Sequence, residues 1–83
     1  MITLALLLSA AGADMEVKVR VDRDTFRVKV RDGYVQIADK AVMTSDTPQI
    51  RDQMKRAVKL ATGCEIDDPY WRNSKLVGKL LCP

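Results

Sequence analysis

The sequence predicts an α+β fold in the order β-β-β-α-β: a three-stranded antiparallel meander, one helix and a C-terminal strand, forming a single layer of sheet with the helix on one face. Apolar and charged residues alternate through residues 16 to 37 with the period of half-buried strands. A Thr47-Pro48 pair then opens a stretch whose apolar residues recur at helical spacing, and alternation returns near the C-terminus.

The first strand is expected from Glu16 to Val21, with Val17, Val19 and Val21 on one side and Glu16, Lys18 and Arg20 on the other. Thr25 to Arg31 repeats the pattern, with Phe26, Val28 and Val30 opposing Arg27, Lys29 and Arg31. Asp22-Arg23-Asp24 between the two runs has turn chemistry, and the expected register places Lys18 opposite Lys29 and Arg20 opposite Arg27. Asp32-Gly33 is the strongest short-range hairpin signal, because a type I′ turn needs positive φ at both central positions. It pairs Arg31 with Tyr34, Val30 with Val35 and Val28 with Ile37, so all three strands turn their apolar residues to one side.

Residues 39 to 46 connect the meander to the helix. Thr47 is the expected N-cap and Pro48 the first helical residue. Ile50, Met54, Ala57, Val58 and Ala61 form the apolar stripe, Asp52 can pair with Arg56 one turn on, and Gly63 supplies a left-handed stop. Glu65 to Ser74, with Asp67-Asp68-Pro69 and Asn73-Ser74, is expected to be a loop. Lys75 to Cys82 is expected as the last strand, with Leu76, Gly78, Leu80 and Cys82 inward.

Eighty-three residues allow one domain, and a composition 47% hydrophobic and 30% charged is that of a folded chain. So short a chain buries a small fraction of its surface and usually needs a staple. Cys64 and Cys82 are the two cysteines, there is no histidine, and their spacing fits no zinc finger or ribbon. A disulfide between them is therefore expected, tying the helix end to the last strand and contributing about 3 kcal/mol.

The lack of histidine also removes the commonest general base and every Ser-His or Cys-His pair, so no enzyme is expected. No glycine-rich phosphate loop occurs, and no cofactor is expected. Glu65, Asp67 and Asp68 match no calcium-loop spacing, and no metal is expected.

Ile2 to Gly12 is uncharged and rich in Leu and Ala, and it ends in Ala11-Gly12-Ala13, small residues of the kind a signal peptidase reads. Residues 1–13 are accordingly read as a signal peptide and residues 14–83 as an exported domain, periplasmic or secreted. The run is too short for a transmembrane anchor. Met1-Ile2-Thr3 lacks the usual positive charge. The competing readings are a helix of the domain itself, or translation from Met15, which places the thiols in the reducing cytosol.

Fourteen Lys and Arg against eleven Asp and Glu give +3 and a pI near 9.1, a bias toward anionic partners. The polar side of the meander collects Lys18, Arg20, Arg27, Lys29, Arg31 and Tyr34, and like charges directly opposite each other destabilise a sheet. That cost points to an anion- or partner-binding face; the simpler reading is a solvated face that discourages aggregation. Arg51, Lys55 and Lys59 form a second basic stripe along the helix. Tyr70, Trp71 and Arg72 form a candidate partner loop, although a chain with a single Trp is expected to spend it closing the core.

Three functions follow. The first is an exported, non-enzymatic binding or accessory module whose basic face meets an anionic surface or acidic partner. The second is a cytosolic nucleic-acid-binding domain starting at Met15. The third is an inhibitor or immunity-type protein docking through Tyr70-Trp71. The element order would match double-stranded-RNA-binding domains if residues 1–13 were a helix, but their phosphate-binding loop and the lysine cluster opening their last helix are missing.

Overall fold

A computed structural model of the chain describes residues 14–39 and 45–83; the signal-peptide reading of residues 1–13 lies outside them. The elements are β1 (Met15–Val21), β2 (Asp24–Arg31), β3 (Tyr34–Asp39), α1 (Pro48–Thr62), β4 (Glu65–Arg72) and β5 (Lys75–Leu81). They form one antiparallel sheet in the order β1-β2-β3-β5-β4, with α1 packed on one face. The expected α+β class is observed, with five strands among the described residues in place of four.

The additional strand is β4, which occupies the stretch expected to be a loop. Asp67-Asp68-Pro69 is a bulge within it: Ile66 pairs with Leu80 and Asp67 with Lys79, and pairing resumes at Tyr70 with Val77. Three steps along β4 therefore match two along β5, which inserts one residue. Strict alternation would put Ile66 and Trp71 on opposite faces. The inserted residue reverses that parity, and both pack against the core. Gly78 faces the bulge, where a Cβ would stand 2.7 Å from Ile66 Cγ1 and 2.8 Å from the Asp67 carbonyl oxygen.

The first hairpin also differs from expectation. Its turn is the two residues Asp22-Arg23, and Asp24 already belongs to β2. Lys18 therefore faces Arg27, Glu16 faces Lys29 and Arg20 faces Thr25, a register two residues away from the expected Lys18–Lys29 and Arg20–Arg27. Asp22, at φ 56, takes the left-handed conformation that so tight a turn requires, and Asp can adopt it. The second hairpin, turning at Asp32-Gly33, has the expected pairs.

The core is built from Phe26, Val28, Val30, Val35, Ile37 and Leu76 of the sheet against Met54, Ala57 and Val58 of α1, all buried. The helix ends match expectation. Thr47 Oγ1 accepts a hydrogen bond from the Ile50 N–H at 3.1 Å, and Gly63, at φ 75, donates its N–H to the Lys59 carbonyl at 2.9 Å.

Two fasteners hold α1 to the sheet. Near its start, the buried Gln53 donates through Nε2 to Asp22 Oδ2 at 3.3 Å and Asp24 Oδ2 at 3.1 Å. Arg56 reaches Asp22 as well (3.2 Å) and also holds Asp52 (3.1 Å). The Gln53 hydrogen bond first, then the Arg56 hydrogen bond and charge, hold the Asp22 carboxyl below its ordinary value of 3.8. Past the helix end, Cys64 and Cys82 form the expected disulfide with their Cα atoms 4.4 Å apart, one step beyond the Glu65–Leu81 pair. Among the described residues no helix is long and apolar enough to cross a membrane.

Candidate anion-binding face

Alternation along five strands leaves one face of the sheet to the core and the other uncovered by α1. On this outer face cross-strand neighbours form rows. The register aligns Lys18, Arg27, Ala38, Lys75 and Arg72 across all five strands, in the order β1-β2-β3-β5-β4. At an inter-strand spacing of about 4.8 Å this row is roughly 19 Å long. The next row holds Glu16, Lys29, Gln36, Val77 and Tyr70, and a third holds Arg31, Tyr34, Lys79 and Asp67. Arg20 lies opposite Thr25 at the top of the first hairpin.

Alanine is the one uncharged member of the first row, and its short side chain leaves a hollow among the cations. A depression of about 360 Å³ is lined by Lys18, Thr25, Arg27, Ala38 and Asp39. A shallower one of about 120 Å³ adjoins it between Glu16, Arg27, Lys29, Gln36, Ala38 and Lys75. Arg27, more than half exposed, meets Glu16 only at 3.5 Å, which leaves most of its guanidinium fork turned to solvent. A planar fork flanked by ammonium groups fits the oxygens of a phosphate, sulfate or carboxylate.

The six residues expected to make the face, Lys18, Arg20, Arg27, Lys29, Arg31 and Tyr34, all lie on it. Lys75, Lys79 and Arg72 join them because β5 inserts between β3 and β4. The inward set of the last strand already implied that Lys75 and Lys79 face away from the core; only the strand order shows that they sit beside Ala38 and Tyr34.

The expected partner loop is corrected. Tyr70, Trp71 and Arg72 belong to β4, so successive side chains take opposite faces. Trp71 packs against the core, while Tyr70, half-exposed, and Arg72 belong to the outer face. The helix stripe does not extend the patch either, since Arg51, Lys55 and Lys59 lie on α1, across the sheet from the outer cations. Arg51 is also held by Asp46 at 2.7 and 3.0 Å, which lowers that carboxyl and raises the guanidinium. Glu65, Asp67 and Asp68 are spread along β4, and no group of three or more metal-ligating side chains converges among the described residues. Comparison of the chain with protein-family models, curated proteins and solved structures finds no match.

Proposed function

We propose that this chain is an exported, non-enzymatic accessory module whose outer sheet face binds a phosphate-bearing anionic surface. The observation that carries the reading is the row of Lys18, Arg27, Lys75 and Arg72 around Ala38. Two pairs of directly opposed cations, Lys18 with Arg27 and Lys75 with Arg72, held in one row by backbone pairing, repel one another, and a polyanion removes that repulsion. Export is supported by the Cys64–Cys82 disulfide, which persists in oxidising compartments, together with the apolar leader ending in Ala11-Gly12-Ala13.

Tyr34 and Tyr70, 52% and 50% exposed among these cations, favour a second reading in which bases of a single-stranded nucleic acid stack on the face. One binding series separates the readings. The protein is titrated with vesicles of anionic phospholipid, with neutral vesicles and with single-stranded DNA, each across a salt series. Arg27→Glu/Lys75→Glu is expected to weaken vesicle partitioning by about fivefold or more per residue, from about 1 kcal/mol for each cation at an anionic surface. Equal binding of wild type and variant to anionic vesicles would overturn the proposal. Binding to DNA alone, weakened by Tyr34→Ala, would transfer the face to the second reading, and binding to neither would leave it a solvated surface.

A further inference from the structure

The two borders of the sheet are built differently. β4 carries the bulge, with Asp68 at φ 51 and Pro69 inside the strand, features that spoil a border for pairing. β1 runs Met15–Val21 in unbroken register with β2 and contains no glycine or proline. A two-residue turn closes with the Val21 carbonyl accepting from the Asp24 N–H, and hydrogen-bonded pairs alternate with unbonded pairs along an antiparallel ladder. Backbone groups of Met15, Val17 and Val19 are therefore directed to β2. Those of Glu16, Lys18 and Arg20 are directed away from it, along the border.

This outward set is symmetric about Lys18. Antiparallel pairing with a second copy across a two-fold axis there sets Lys18 against Lys18 of the partner subunit. It also sets Glu16 against Arg20 of the partner subunit, twice. Each outward N–H and C=O of the set then gains a mate. On the outer face two opposite-charge contacts outweigh one like-charge contact. On the inner face half-buried Val17 pairs with Val19 of the partner subunit, and Val19 with Val17 of the partner subunit, extending the apolar layer across the junction. An interface using one patch twice closes on itself.

We propose that the chain forms a two-fold dimer by joining β1 to β1 of a second copy around Lys18, merging two five-stranded sheets into one. The proposal does not depend on the anion-binding reading.

Amide hydrogen exchange on the intact, oxidised protein, read by NMR at roughly 10 µM and 1 mM together with sedimentation equilibrium, tests it. The amides of Glu16, Lys18 and Arg20 are expected to gain protection as concentration rises, while those of Val17 and Val19, already bonded to β2, serve as the control for an intact strand. Glu16→Arg is expected to raise the dimer dissociation constant about tenfold, and Glu16→Arg/Arg20→Glu to restore it to within about threefold. Lys18→Thr is expected to tighten association by removing the central repulsion. The proposal is overturned if protection at Glu16, Lys18 and Arg20 does not change with concentration. It is equally overturned if the double variant is weaker than the single one, or if a dimer forms that is indifferent to all three substitutions.

Discussion

The start and the end of α1 are fastened to the sheet by different chemistry. Near its start, Gln53 and Arg56 hold the β1–β2 turn through Asp22 and Asp24. Past its end, a covalent bond joins Cys64 to Cys82. The hydrogen bonds act on the folded state, and they leave the unfolded chain unchanged. The disulfide acts mainly on the unfolded chain, by removing conformations that the reduced chain would regain. One end of the helix thus answers to protons and the other to reductants.

The largest expected effect breaks the covalent end. Reduction, or Cys64→Ala/Cys82→Ala, is expected to cost about 3 kcal/mol and lower Tm by roughly 15 °C, measured by thermal denaturation monitored by circular dichroism. A shift of only a degree or two would mean that packing of Trp71 and Leu80 suffices to hold β4 and β5.

The polar end should yield less. Gln53→Ala is expected to cost about 1 to 2 kcal/mol, because it removes the amide that serves both carboxylates and opens space beneath the helix. A urea midpoint unchanged by this substitution would show the clamp to be dispensable. If the two ends are energetically separate, the loss should be the same in oxidised and reduced protein.

The smallest effect is on acid sensitivity. The Asp22 carboxyl is held below its ordinary value of 3.8, so its contribution is complete above that pH and is lost as pH falls through the lowered folded value. Asp22→Asn, which tolerates the left-handed backbone, should flatten the decline in stability below that pH. The measurement is urea midpoint against pH for both proteins; parallel curves would remove Asp22 from the acid response.

The same two regions differ in how legible they were. The β1–β2–β3 meander follows one rule, alternation between Val or Phe and Lys or Arg, and its strands, the Asp32-Gly33 turn and the basic face can be read directly from residues. Only the register of the first hairpin escaped, because Asp24 looks like turn chemistry while serving as a strand residue whose carboxylate meets Gln53. The helix ends were equally plain, since Thr47-Pro48 and Gly63 each act locally. The β4–β5 region was obscured by its bulge. Asp67-Asp68-Pro69 imitates a loop, and the parity change it makes hides the shared face of Ile66 and Trp71. A side chain's face can be read from its own neighbours in sequence, but the strand it lies beside cannot. Lys75, Lys79 and Arg72 were therefore visible as charges and not as parts of the candidate site.

The bulge in β4 also limits how far association can run. A fibril grows only when each unit offers a usable strand on both flanks, one to receive and one to extend. Here the turn of backbone around Asp68 and the missing donor at Pro69 disable one flank. Among the described strands this leaves β1 as the border fit for pairing, so a strand engaging it would offer the next unit only the disabled flank.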